Sequence, residues 1–120
     1  MTDILRQEIA AAADTVVVKV GTRVLTRPGG RLNYDRIESL ALELHQALES
    51  GRRVVLVSSG AVGAGLGQLE LDRRPADLAH LQAVAAVGQC HLMQAYDQAL
   101  RKHGRHAAQL LLTAEDVDDR

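Results

Sequence analysis

The sequence predicts an α/β protein organised on a parallel sheet, and three observations predict it. Val54-Val55-Leu56-Val57 is a branched apolar run without alternation that stops abruptly at Ser58-Ser59-Gly60. Such a run suits a strand covered on both faces, as the strands of parallel sheets are. Thr15-Val16-Val17-Val18-Lys19-Val20 is a second β-branched run, closed by Gly21-Thr22. Between the two lies a segment with Ile37, Leu40, Ala41, Leu44 and Leu48 at helical spacing. Strand, helix and strand in that order make a β-α-β unit, whose strands run parallel with a right-handed crossover.

Each element has its own signal. Residues 3–13 read as a short helical lead-in with a run of alanines. Lys19 inside the first strand needs a reason, because an ammonium at the carboxyl end of a central strand costs desolvation unless it reaches solvent or an anion. Snorkelling past the strand end is one answer. A phosphate met there is the other, helped by Gly21, which lets backbone come close. Arg27-Pro28-Gly29-Gly30-Arg31 is a turn signal, so residues 23–32 are expected to form a small hairpin or extended loop. Asn33 caps the crossover helix with Asp35 and Glu38 near its positive end, and Gly51 stops it.

After the second strand, Ser58 to Gly65 is expected to form a binding loop, and Leu66 to Arg74 a polar connection. Pro75 stands near the first turn of a long helix that runs to Gly104, with Leu78, Leu81, Ala85, Leu92, Tyr96 and Ala99 facing inward. Gly88 inside that helix costs about 1 kcal/mol against alanine, which predicts a close helix–helix or helix–sheet contact as compensation. Residues 107–112 read as a third strand. Thr113 with Asp116 resembles a capping box, though the box prefers Glu or Gln at its far position.

Composition excludes several classes. The chain has 120 residues, 47% hydrophobic and 24% charged, so it is one domain or part of one, neither disordered nor membrane-spanning. There is no Phe or Trp, and Tyr34 and Tyr96 are the only aromatic rings besides histidine. The core must therefore be aliphatic. A net charge of -1 and the lack of stacking platforms argue against nucleic acid as a partner. No apolar run approaches a membrane span, and no secretory leader is legible at Met1 to Glu8, so the expected compartment is the cytoplasm. Cys90 is alone among apolar helical residues and is expected to be small and buried.

The chemistry-bearing motifs are few. Gly60-x-x-Gly63-x-Gly65-x-Gly67 fits neither the dinucleotide fingerprint nor the P-loop. Gly63, Gly65 and Gly67 are equally well read as packing glycines. Ser59-Gly60 is stronger, since a hydroxyl and free N–H groups at a helix start form an anion site in any fold. The five histidines, His45, His80, His91, His103 and His106, lack metal-ligand spacing. Gly-x-Ser-x-Gly is absent, which disfavours a serine hydrolase. Glu115, Asp116, Asp118 and Asp119 could hold Mg²⁺ or form a solvated helix start.

Four ordered stretches, Val17-Val18-Lys19-Val20-Gly21-Thr22, Val57-Ser58-Ser59-Gly60-Ala61, Gln82 to Gln89 and Gln109 to Asp116, together closely resemble the glutamate-phosphorylating members of the amino-acid kinase family. The resemblance runs from about Thr15 to the last residue. It implies a three-layer α/β/α sandwich around a mostly parallel sheet, of which residues 1–120 are the amino-terminal part. It implies L-glutamate and ATP as substrates, with Mg²⁺, for which no ligand is assigned in this chain, and a product phosphorylated on the side-chain carboxylate.

By position, the resemblance makes Lys19 the catalytic lysine at the ATP phosphates, with Gly21 and Thr22 beside it. It makes Ser59, Gly60 and Ala61 part of the glutamate site. Arg23 departs from a second small hydroxyl found in many relatives, and the guanidinium could itself bind an anion. The residues that grip glutamate, the adenine-binding segment and a second lysine are expected beyond residue 120. Two other readings stand beside this one: another amino-acid kinase acting on a carboxylate or carbamate, and a non-catalytic anion-binding or assembly module. A sheet cut short would expose an edge or an apolar face, so self-association is expected too.

Overall fold

The computed structural model describes residues 3–118. The chain runs through α1 (Asp3–Ala12), β1 (Thr15–Val20), α2 (Thr22–Leu25), α3 (Tyr34–Glu49), β2 (Arg53–Ser58), α4 (Ala61–Gln68), α5 (Leu78–Arg101) and α6 (Ala114–Asp118). β1 and β2 pair in parallel, from Thr15 opposite Arg53 to Val20 opposite Ser58. The crossover between them is α3. Its start is fixed by Asn33, whose side chain accepts a hydrogen bond from the Arg36 backbone N–H at 3.2 Å. Its end is fixed by Gly51 at φ +84, a left-handed position that suits glycine.

Between β1 and α3, the expected hairpin is only partly present. Thr22 to Leu25 form a single helical turn, followed by one antiparallel bridge between Thr26 and Leu32. The reason is local: the Thr26 hydroxyl and backbone N–H both donate to the Thr22 carbonyl, which closes a turn where a strand would begin. At the other end of the strands, α1 buries no residue. The Arg52 guanidinium donates to the carbonyls of Ala10 and Ala13 at 3.0 and 3.2 Å, and so ties the end of α1 to the start of β2.

The core lies on one face of the strand pair. Val20, Leu25, Ile37, Ala41, Leu92 and Tyr96 are among its buried members, with Val18 and Leu56 packed against them. Leu25, Ile37 and Leu92 are fully enclosed, and burial of each contributes roughly 1.5–3 kcal/mol. The core is aliphatic apart from one ring, as the composition requires.

α5 starts at Asp77, whose carboxylate accepts the His80 backbone N–H at 3.1 Å. That bond, with His80 itself beside it, holds the Asp77 carboxyl below the usual carboxylate range. Pro75 lies two residues ahead of this cap, outside the first turn.

α4 crosses α5 with almost no side chain between them. A Cβ placed on Gly88 would stand 1.7 Å from the Ala61 carbonyl oxygen, and one on Gly65 would stand 2.0 Å from the Val84 carbonyl oxygen. The close contact expected at Gly88 is therefore present. Gly63 and Gly67 serve the opposite side of α4: a Cβ on Gly67 would meet Gly30 backbone at 2.5 Å, and one on Gly63 the Thr22 methyl at 3.1 Å. The glycine pattern is mainly a packing device that brings α4 close to a helix and to a loop.

Five expectations are corrected. Residues 107–112 form no strand: Leu110 and Leu111 are 86% and 82% exposed, and the segment is held at its start by the Ala107 N–H donating to the Asp97 carboxylate at 3.1 Å. A strand needs a ladder partner and a face to bury, and among the described residues it has neither. Cys90 is exposed, because the buried stripe of α5 passes through Val84, Gly88, Leu92, Ala95 and Ala99. For the same reason Leu78, read as inward-facing, lies in solvent. Residues 61–68, read as loop and connection, are helical, since an alanine- and glycine-rich helix shows no apolar period. And β1 and β2 are covered on one face only, so the described residues build two layers of the α/β arrangement around a parallel sheet.

At the last turn the capping box does form. Thr113 Oγ1 accepts the Asp116 N–H at 3.3 Å, and Asp116 accepts the Thr113 N–H at 2.7 Å, which holds the Asp116 carboxyl below its ordinary value.

Candidate functional site

Parallel pairing delivers the ends of β1 and β2 to one rim. The ladder extends one residue past β2, with the Ser59 N–H donating to the Val20 carbonyl at 3.0 Å. The Ser59 hydroxyl donates to the same carbonyl at 3.2 Å and stands 3.4 Å from the Thr22 hydroxyl. Two of the residues singled out in the sequence, on different strands' exits, are thus side by side.

Gly60 follows in the left-handed region, φ +106 and ψ 0, as the N-cap of α4. A Cβ there would meet Leu25 at 3.6 Å, an ordinary contact, so glycine is favoured by backbone conformation rather than by space. No side chain caps α4, which leaves its first-turn N–H groups, beginning at Ala61, free to receive a negative charge. Gly21 is extended at φ -83, and a Cβ on it would touch nothing within 4 Å, so backbone is accessible there.

Lys19 pairs with Val57 in the ladder, two residues before Ser59. It alternates with Val18 and Val20, which face the core, and so belongs to the open face of the sheet, exposed and without an ion pair among the described residues. Arg23 is exposed on α2 beside this rim. A cation, two hydroxyls and uncapped amide donors at one edge can hold an anion and offset charge that develops on it.

One contributor was not picked out in the sequence. Tyr96 on α5 is buried, and its hydroxyl is 2.9 Å from the Ser58 hydroxyl, which in turn donates to the Ser59 carbonyl at 3.0 Å. The signal was available: in a core without Phe, the single enclosed ring is a tyrosine, and a buried phenol needs a polar partner. Burial pushes the Tyr96 phenol above its ordinary value, and the Ser58 bond opposes that only in part.

A raised folded-state value means that the stabilisation is complete below about pH 10, the unfolded value, and is lost as pH rises through the higher folded one. In Tyr96→Phe, the stability near neutral pH is expected to fall by about 1 kcal/mol, and the part of alkaline unfolding that this phenol drives is expected to vanish. Denaturant melts from neutral to alkaline pH check both.

A cleft of about 600 Å³ lies elsewhere. Arg27, Arg31, Tyr34, Asp35, Glu70 and His91 are among its lining, and Lys19, Thr22 and Ser59 are not. Its charges already offset one another, with Arg27 and Asp35 paired at 2.9 Å, and no uncapped helix start opens into it. Volume alone does not make it the better anion site.

Among the described residues, no three His, Cys, Asp or Glu side chains gather as metal ligands would. Asp116 is engaged by Thr113, and Asp119 lies outside the described residues. His45 stacks on His103 with ring centroids 5.0 Å apart, His80 lies against Asp77, and His106 is 3.6 Å from Asp97.

Residues 14–120 match the amino acid kinase family. The chain is 51% identical over 113 residues to the glutamate 5-kinase of Rhodopirellula baltica, which covers 94% of this chain and 29% of that one. It is 52% identical over 111 residues to the glutamate 5-kinase of Bifidobacterium longum subsp. infantis, covering 92% and 29%. It is 51% identical over 104 residues to the glutamate 5-kinase of Symbiobacterium thermophilum, covering 87% and 40%. The chain spans well under half the length of these curated relatives.

Proposed function

The chain belongs to the amino acid kinase family, and on that premise we propose that it is the amino-terminal part of a glutamate 5-kinase domain. The reaction proposed is ATP-dependent phosphorylation of the L-glutamate side-chain carboxylate, giving L-glutamyl 5-phosphate for proline synthesis. The observation that carries the reading is the meeting of Thr22, Ser59 and the uncapped start of α4 at the rim where the Lys19 strand also ends.

In this reading the carboxylate oxygen attacks the γ-phosphorus, the bond to the bridging oxygen of ADP breaks, and ADP leaves with the electron pair. A carboxylate is already nucleophilic, so no general base is needed. What the reaction needs is position and charge neutralisation, and those are what this rim supplies. Lys19 offsets the charge of the ATP phosphates, with Gly21 and Thr22 beside it. Ser59, Gly60 and Ala61 receive the glutamate carboxylate with hydroxyl and amide donors. Ser58 and Tyr96 hold Ser59 in place. The described rim residues include no carboxylate, so the rim offers Mg²⁺ only the hydroxyl oxygens of Thr22 and Ser59. A cytoplasmic setting belongs to this reading, and the unpaired, exposed thiol of Cys90 suits a reducing compartment.

Assay of glutamyl phosphate as its hydroxamate tests the proposal. The isolated chain is expected to give no steady turnover, because its relatives are much longer. A chimera in which this chain replaces the matched segment of the Rhodopirellula baltica enzyme is expected to turn over glutamate. A folded, inactive chimera would remove the kinase reading. In that case nucleotide titration of the chain, with binding and no turnover, would favour the non-catalytic anion-binding module.

A further inference from the structure

We infer that the peptide linking Ser59 to Gly60 is a locked plane, and that the Tyr96 hydroxyl, acting through Ser58, is the positioning group that keeps its N–H, and not its carbonyl, turned to the acceptor carboxylate. This presupposes the kinase reading and takes it to single atoms: one backbone amide meets glutamate, and a residue on another helix sets that amide. Three observations carry it. The peptide lies between two fixed points, the Ser59 N–H in the last bond of the strand ladder and the Gly60 carbonyl, which accepts the Ala64 N–H at 2.8 Å in the first bond of α4. Neither bond fixes the plane between them. Among the described residues its carbonyl accepts only the Ser58 hydroxyl, and its N–H has no partner although Gly60 is buried. A buried amide without a partner is a place for a ligand's acceptor.

The protons leading to that carbonyl run one way. A hydroxyl has one proton to donate. Ser58 donates its own to the Ser59 carbonyl, so the phenol must be the donor in the 2.9 Å bond between Tyr96 and Ser58. Donors in series strengthen one another and hold the Ser59 carbonyl on the Ser58 side. In a planar trans peptide the C=O and N–H point in opposite directions, so the Gly60 N–H is aimed away from Ser58. Gly60 is also the residue at which such a plane can turn over, since glycine at φ +106 has the opposite sign of φ equally open to it. Turned over, the peptide would face a carboxylate with a carbonyl oxygen in place of a charge-assisted donor. Tyr96 thus favours glutamate binding without touching the substrate.

Kinetics in the chimera described above test this, together with the Gly60 amide resonance of the isolated chain in nitrogen-labelled NMR spectra. Tyr96→Phe and Ser58→Ala are each expected to raise the KM for glutamate about tenfold, the effect of losing one hydrogen bond to a charged group, with kcat and the KM for ATP within about twofold of the parent. The double variant is expected to be no worse than either single one, because the two groups act in series. Ser58→Thr keeps the hydroxyl and is expected to recover the glutamate KM. A glutamate KM unmoved by both single substitutions in a folded, active chimera overturns the lock and leaves the kinase reading standing, and additive losses overturn the series. In the isolated chain the Gly60 resonance is expected to move alike in Tyr96→Phe and Ser58→Ala and to return in Ser58→Thr. Those shifts beside an inactive parent chimera support the lock and remove the kinase reading, whereas a Gly60 resonance that stays put in both variants overturns the lock by itself. Ser58 is exposed, so Ser58→Ala carries the test if Tyr96→Phe unfolds.

Discussion

Gly88→Ala is expected to lower the stability of the chain by at least about 3 kcal/mol, at or beyond the upper end of overpacking penalties. The added methyl would lie 1.7 Å from the Ala61 carbonyl oxygen and 2.4 Å from the Gly65 nitrogen, and both obstacles are backbone. No rotamer change relieves them. α4 would have to move away from α5 by more than an ångström, opening the contact at Gly65 and Val84 and shifting the first turn that carries Ala61. Damage should therefore reach the candidate site as well as the melting temperature. Gly21→Ala is the matching control: its Cβ meets nothing within 4 Å and its backbone is extended, so stability should change by no more than about 0.5 kcal/mol. Paired denaturant melts decide. Similar stabilities for the two variants would show that the close crossing of α4 and α5 does not exist.

Lys19→Met in the active chimera is expected to lower kcat by about 100- to 1,000-fold, the range seen when one preorganised group is removed from developing charge. Methionine keeps the length and the apolar stem, and the position is exposed, so the fold should tolerate it. The loss should fall on kcat more than on the KM for glutamate, because the ammonium is proposed to act on the phosphate donor. Steady-state kinetics with each substrate varied separates the two. A variant within threefold or so of the parent kcat would return Lys19 to the snorkelling reading.

What the sequence made legible was whatever is decided within one or two turns of chain. Asn33 and Gly51 mark α3 because a cap and a left-handed stop are local acts. Thr113 and Asp116 pair because they are three residues apart. The valine runs name the strands, and Gly88 announces a close neighbour, though not which one. The failures share a cause of the other kind. Whether 107–112 becomes a strand, and whether both faces of β1 and β2 are covered, depends on long-range partners, and among the described residues these stretches have none. The exposure of Cys90 depends on how α5 rotates against α4, which the glycines set. Tyr96 reaches Ser58 across 38 residues, and only the rarity of rings in the composition hinted at it. Of the candidate site, the residue types were legible. Their adjacency was not, since it follows from the parallel ladder.

The Arg52 clamp gives the two ends of the strands different fates. α1 buries nothing and is moored by one guanidinium that binds the carbonyl of Ala10 within it and of Ala13 just after it. It therefore detaches at low free-energy cost, a peelable handle that a peptidase can trim. The opposite end of the strands, where Ser59 and Gly60 sit, would not register the loss, so wear at one pole leaves the other in working order.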